Sequence, residues 1–304
     1  MKVFTRNYKM NHISSPLWGE YYGGMKSCVL DIEATGLDPR NAKVVLMGLL
    51  TETDSGVKVT QFLAENHYEE NRVLNATIEF LHDNNIDYLI TFNGMRYDIP
   101  FINTRLEKLL LNEKVELYDF DLYRFLRKCS ILPQKMHSLS QSSVETYFGI
   151  ATDRKDTITG RENIALFNEY SVSGNSTVEK IILTHNREDV LQLYKLMLLC
   201  SKNDFTEILN YDFHEAIAKY GFPVNNGQFS VRPQIKKSQL IISGDQNFNA
   251  FSAAYFPDET SPITATFAAS TRSFEITVPI PKNICYDSKS LNEASRDILT
   301  RYLP

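Results

Sequence analysis

Residues 27–39, SCVLDIEATGLDP, decide the fold because a short apolar run breaks there into a loop. Cys28 to Ile32 has the length and composition of a buried strand, and Thr35 to Pro39 has the small, polar and proline residues typical of a loop. Side chains alternate between the two faces of a strand, so Asp31 and Glu33 lie on one face. We therefore predict a central strand whose end presents two carboxylates.

The segments that follow predict that this strand belongs to a mixed sheet. Residues 43–50 (KVVLMGLL) and 57–63 (VKVTQFL) are strand-like and flank a polar turn, which predicts an antiparallel hairpin. A helical pattern over residues 69–83 precedes the apolar run at 88–92. A helix between two strands is the usual crossover to a parallel strand. The sheet should therefore contain both antiparallel and parallel neighbours, with helices against it.

The rest of the chain predicts a change of architecture near residue 204. Another short strand is expected at 115–117, and a long amphipathic helix over 177–200. Beyond residue 204, polar and apolar residues alternate in 239–244 and 273–279, as in half-buried strands. We expect an α/β domain over residues 1–204, built as a mixed sheet flanked by helices. A smaller β-rich accessory domain should follow over residues 205–304.

Composition excludes several classes of protein. The 304 residues carry 32 basic and 37 acidic side chains, a net charge of −5, so the whole molecule does not attract a polyanion and a generic nucleic-acid-coating protein is disfavoured. No run resembles an export signal or could span a bilayer. The four cysteines are far apart, which argues against a zinc site or a disulfide framework. We expect a soluble, cytoplasmic protein with reduced thiols.

Two further acidic motifs join the first at the expected mouth of the sheet. Asp98, in FNGMRYDIPFI (92–102), follows the fourth strand, and Asp189, in HNRED (185–189), shares a helix face with His185. Carboxylates gathered at one point repel each other unless cations neutralise them, and oxygen ligands select Mg²⁺ or Mn²⁺. Two such ions are a common device for hydrolysing a phosphodiester. A neutral His185 imidazole is then suited to take the proton of the attacking water.

In order and content, these motifs resemble the DEDD superfamily of 3′ to 5′ exonucleases, which have a ribonuclease H-like fold. More closely, the chain from about Lys26 to Cys200 resembles the YprB-type ribonuclease H-like proteins. The resemblance implies His185 as general base and, as ligands of two Mg²⁺ or Mn²⁺ ions, Asp31, Glu33, Asp98 and Asp189. One spacing departs from the histidine subclass, because His185 precedes the last aspartate by four positions, the tyrosine-type spacing, and not by five. If His185 faces away, metal alone would activate the water.

The resemblance also implies a nucleic acid substrate, DNA or RNA, with a single-stranded 3′ end. The candidate substrate-binding residues are Thr35, Asn93, Tyr97, Arg154 and Lys155. Structural interpretations compete with some of these roles, because Asn93 begins an Asn-Gly turn and Tyr97 is suited to packing against a helix. Two other functions stay open at this point: a ribonuclease H-like endonuclease, and a nucleic-acid-binding module without turnover.

Overall fold

A computed structural model describes residues 1–155, 158–246, 264–268, 272–280 and 285–302. The strands are β1 (Lys2–Tyr8), β2 (Ser27–Ala34), β3 (Val44–Thr53), β4 (Gly56–Leu63), β5 (Tyr88–Thr91), β6 (Tyr118–Asp121), β7 (Phe222–Val224), β8 (Phe229–Lys236), β9 (Gln239–Gln246), β10 (Thr264–Ala268) and β11 (Ser273–Pro279). The α-helices are α1 (Pro16–Tyr22), α2 (Glu70–Asp83), α3 (Asp98–Lys108), α4 (Leu122–Cys129), α5 (Leu132–Lys135), α6 (Gln141–Tyr147), α7 (Gly160–Ser173), α8 (Ser176–Lys202), α9 (Phe213–Tyr220) and α10 (Ser288–Tyr302).

The first sheet is the predicted mixed sheet. Its strand order is β1-β4-β3-β2-β5-β6, with antiparallel pairing from β1 to β2 and parallel pairing from β2 to β6. The prediction of a mixed sheet flanked by helices is therefore confirmed. The strand expected at 115–117 is wrong, because the pairing with β5 begins only at Tyr118.

The two faces of β2 explain why it ends in carboxylates. Leu30 and Ile32 are buried in one hydrophobic cluster with Val73 and Leu74 of α2. Asp31 alternates with them and is paired in register with Gly48 of β3. Helix α8 packs against β2, β3 and β4. Asp31 therefore lies on the face of the sheet that this helix covers. Alternation along one strand thus gives one hydrophobic face and a second face that carries Asp31 and Glu33.

The second sheet is antiparallel, with strand order β10-β11-β9-β8-β7, and is accompanied by α9 and α10. This confirms the smaller β-rich unit at the C-terminal end. Phe222, Phe229 and Ile242 of this unit belong to the same buried cluster as Leu196 of α8, so the two sheets share a core. The domain boundary at residue 204 stays a prediction. Within the described part of the chain, no helix has both the length and the apolar character needed to cross a membrane.

Candidate metal centre

Acidic side chains from three remote segments meet at the end of β2. The Nε2 atom of His185 lies 3.7 Å from Oε1 of Glu33 and 3.5 Å from Oδ2 of Asp189. One ligand atom from each of these three residues lies within 4.8 Å of the other two. The carboxylates of Asp189, Glu33 and Asp98 all act electrostatically on Asp31. The structure therefore groups Glu33, His185 and Asp189 by distance, and it places Asp31 and Asp98 near enough for their charges to act on this group.

A row of polar contacts across the sheet fixes the position of Asp31. The Nδ2 atom of Asn186 donates to Oδ2 of Asp31 at 2.9 Å, and Oδ1 of Asn186 accepts from Nε2 of Gln61 at 2.8 Å. Gly48 lies between Asp31 and Gln61 in the strand register. A Cβ atom on Gly48 would lie 2.3 Å from Oδ1 of Asn186, so only glycine lets α8 approach β3 this closely.

The centre accumulates negative charge in a partly buried place. Burial, together with the charges of Asp189, Glu33 and Asp98, raises the pKa of Asp31 well above its usual range. Burial also raises the pKa of Glu33 to about 7, although His185 opposes that shift. The pKa of Asp98 rises to about 7 for the same primary reason. Carboxylates in this state are destabilised as anions and gain from a nearby cation.

The donor set fits a hard divalent cation. Four carboxylates supply oxygen ligands, which Mg²⁺ and Mn²⁺ prefer. Asn163 of α7 hydrogen-bonds to Glu33 through its side chain, yet its buried Oδ1 atom has no hydrogen-bond partner among the described residues. A buried polar atom beside Glu33 is thus left for a ligand or water. The repulsion within the cluster and this orphaned oxygen both favour a bound cation with its hydration shell.

The comparison with protein families agrees with this geometry. A family model described as RNase_H superfamily matches residues 28–200, more than half of the chain. The chain belongs to the RNase H superfamily. That membership, with the carboxylate cluster, supports a metal-dependent nuclease. The family match therefore confirms the predicted resemblance at the level of the superfamily.

Two other comparisons add less. No curated protein matches the chain. Among solved structures, the chain is similar to the family B DNA polymerase from the hyperthermophilic archaeon Pyrobaculum calidifontis, with 14% identity and a TM-score of 0.44. The match covers 92% of this chain and 43% of that chain, so the RNase H superfamily protein spans less than half of the polymerase.

Arg154, one of the predicted substrate-binding residues, lies inside the centre of this RNase H superfamily protein. Its guanidinium forms an ion pair with Asp189 and contacts Oε1 of Glu145 at 3.1 Å. The Glu145 side chain is fully buried, so Arg154 compensates a carboxylate that water cannot reach. The backbone N–H of Lys155 donates to Oε2 of Glu188 at 3.3 Å. The predicted substrate roles of Arg154 and Lys155 stay predictions.

The other three predicted substrate-binding residues lie in loops at the rim. Oγ1 of Thr35 accepts a hydrogen bond from the backbone of Lys43 at 2.9 Å, which closes the loop after β2. Asn93 has a left-handed φ of 69°, as its turn interpretation requires. Tyr97 is half-buried and its ring packs against Phe101. All three have structural roles here, and their substrate roles stay predictions.

Sequence reasoning missed the carboxylates of β6. Oδ1 of Asp121 accepts the backbone N–H of Asn93 at 2.8 Å and that of Arg124 at 3.1 Å, so it joins the rim loop to α4. Both oxygens of Asp119 accept from Oγ1 of Thr91 at 2.9 Å. The signal was the alternation Tyr-Asp-Phe-Asp at 118–121, which places both aspartates on one face.

Proposed function

We propose that this protein is a divalent-metal-dependent nuclease that removes nucleotides from the 3′ end of DNA or RNA. The observation that carries the proposal is the grouping of Glu33, Asp189 and His185 at one partly buried point, where the charges of Asp31 and Asp98 also act. Within the superfamily, we also infer the YprB type, from motif order and content. The inference of DNA or RNA as substrate rests on the superfamily and on this set of ligands.

The proposed chemistry assigns each side chain a task. The four carboxylates would hold two Mg²⁺ or Mn²⁺ ions, which supply charge neutralisation at the scissile phosphate and activation of the attacking water. Asn186 would keep the Asp31 carboxylate oriented, because its amide is itself fixed by Gln61. The Nε2 atom of His185 faces Glu33 and Asp189, where it would accept the proton released by the water.

The test is hydrolysis of an end-labelled oligonucleotide in Mg²⁺ or Mn²⁺ by the wild-type protein and by Asp31→Asn and Asp189→Asn. Both substitutions keep the shape and remove a charge, so we expect loss of metal-dependent product release with the fold retained. Asp54→Asn is a matched control because Asp54 is exposed in the β3–β4 turn.

Four outcomes of this test bear on the proposal and its alternatives. Stepwise shortening from the 3′ end supports the exonuclease, whereas internal cuts indicate the endonuclease. Binding of the oligonucleotide without any product in either metal indicates the non-catalytic module. Full activity in both aspartate variants would refute the metal-centre assignment.

A further inference from the structure

A groove lined by basic side chains lies between α4, α9 and β8, and it includes Arg96 of the segment that leads to Asp98. It has a volume of about 270 Å³. Two tyrosines also border it, Tyr123 of α4 and Tyr220 of α9. Its cationic side chains are Arg96, Arg124, Arg127, Lys128 and Arg232. No carboxylate belongs to the lining that the structure describes, so the groove differs in sign from the adjacent centre.

The sequence of α4 explains why this groove is basic. Arg124, Arg127 and Lys128 are spaced i, i+3 and i+4, which places them on one face of the helix. Phe125 and Leu126 alternate with them and are fully buried against the core. The helix is therefore anchored by one face and presents three cations on the other. Arg127 and Lys128 are exposed.

The segment from Asn93 to Asp98 connects the groove with the candidate metal centre. The carboxylate of Asp121 accepts hydrogen bonds from the backbone N–H groups of Arg124 and Asn93. The segment that starts at Asn93 runs through Arg96 directly into Asp98, a predicted metal ligand. The guanidinium of Arg124 also contacts Sδ of Met95 in that segment. One short stretch of chain thus forms the rim of the centre and the start of the groove.

The second sheet completes the groove. Arg232 lies on β8 and forms an ion pair with Asp245 of β9. In the described part of the chain, no carboxylate forms a salt bridge with Arg96, Arg124, Arg127 or Lys128. Partial burial of the Lys128 side chain, in a residue that is exposed overall, lowers the pKa of Lys128, and the charges of Arg232 and Arg124 lower it further. The cations therefore repel each other, and an anionic ligand would relieve that repulsion.

We propose that this groove binds the phosphodiester backbone of the single strand that leads away from the metal centre. The inference rests on the proposed nuclease function and extends it to the part of the substrate that is not cut. Cations that follow a backbone and an aromatic side chain beside them are the usual means of holding a single strand. Tyr123, half-buried between Phe92 and Arg127, offers the aromatic ring. Arg232 gives the second sheet a direct part in substrate binding.

The test measures binding separately from hydrolysis. The protein is titrated into a labelled oligothymidylate of about 12 nucleotides in EDTA, at several NaCl concentrations. Fluorescence anisotropy of the label measures binding. The groove variant is Arg127→Gln/Lys128→Gln. The control is Lys236→Gln/Lys237→Gln, which removes the same charge from exposed residues at the β8–β9 turn. Thermal unfolding checks that both variants keep the wild-type fold.

We expect the groove variant to bind about tenfold more weakly at low salt. The slope of log K against log[NaCl] should fall in magnitude by about 1.4, since each phosphate contact on a single strand contributes about 0.7. The control should match the wild type. Equal losses in the groove variant and the control, or an unchanged slope, would overturn the proposal. A duplex that competes as well as the single strand would overturn the single-strand assignment.

Failure of this proposal is distinguishable from failure of the proposed function. Binding that depends on the groove, without hydrolysis by the wild type in Mg²⁺ or Mn²⁺, supports the groove and contradicts the nuclease. Hydrolysis with binding that ignores the groove charges supports the nuclease and contradicts the groove.

Discussion

Replacing Glu33 by glutamine should stabilise the metal-free protein at neutral pH. Burial raises the pKa of Glu33 to about 7 from its ordinary 4.5, with Asp189 adding repulsion and His185 opposing it. Between these two values the folded protein binds more protons at this side chain than the unfolded chain does. The free energy of unfolding therefore falls as pH rises from about 4.5 to about 7, and above pH 7 it stays lowered by a constant amount.

The size of this effect follows from the shift in pKa. A rise in the pKa of Glu33 from 4.5 to about 7 corresponds to about 3 kcal/mol of stability. Glutamine keeps the shape of the side chain and cannot ionise. The Glu33→Gln variant therefore does not lose the free energy of unfolding that ionisation of Glu33 costs the wild type. In EDTA we expect the variant to exceed the wild type by about 3 kcal/mol at pH 8 and to match it at pH 4. Mg²⁺ should narrow the difference at pH 8, because it stabilises the wild-type carboxylates.

Urea unfolding followed by tryptophan fluorescence measures these free energies. The single tryptophan, Trp18, is 4% exposed and packs against Tyr22 and Phe120, so unfolding moves it from the core into water. Glu113→Gln is the control, because Glu113 is exposed on the loop after α3. If the wild type and Glu33→Gln lose stability in parallel from pH 4 to pH 8, the electrostatic reasoning is refuted.

Three more substitutions test other parts of the structure. Gly48→Ala drives a Cβ atom against Oδ1 of Asn186, so calorimetry should show a loss of about 1–3 kcal/mol; no loss would refute the close approach. His185→Gln should slow hydrolysis by roughly 10²–10⁴ while titration calorimetry still detects Mn²⁺ binding; unchanged hydrolysis would exclude it as the base. Arg105→Met leaves the buried Glu70 carboxylate unpaired, so urea unfolding should show a loss of about 3–5 kcal/mol, and a smaller loss in Arg105→Met/Glu70→Gln.

The fold was predictable where hydrophobic periodicity was strong. The alternation in β2, the β3–β4 hairpin and the long α8 all follow from it. The prediction misplaced strand β6 because the strand is buried on both faces and one of these faces carries Asp119 and Asp121, whose charge hides the pattern. Both carboxylates are tolerated there by hydrogen bonds from Thr91 and from backbone N–H groups, which the local sequence does not reveal. Edge strand β1 is mostly exposed and carries a weak signal.

The candidate centre was predictable in its charged residues and not in their supports. Asp31 stands out because an acid directly after an apolar run is unusual, and Asp98 stands out because it lies just past a strand where a helix begins. Asn186 and Gln61 look like ordinary polar residues in the sequence. Their contact depends on the register of β4 with β3 and on the packing of α8 over both strands, which are non-local facts. The role of Gly48, which is to let Asn186 approach β3 closely, can be inferred only once that register is known.

Helix α8 connects the chemistry of the centre to the second sheet. Its first half carries His185 and Asp189, and its second half buries Leu196 in the cluster that also contains Phe222 of β7. A rigid helix transmits its packing along its whole length, so the second sheet helps to fix the angle at which the two polar side chains meet β2. Arg232 then extends the same sheet into the basic groove. The β-rich unit therefore contributes both to the support of the candidate metal centre and to the surface proposed to bind the single strand.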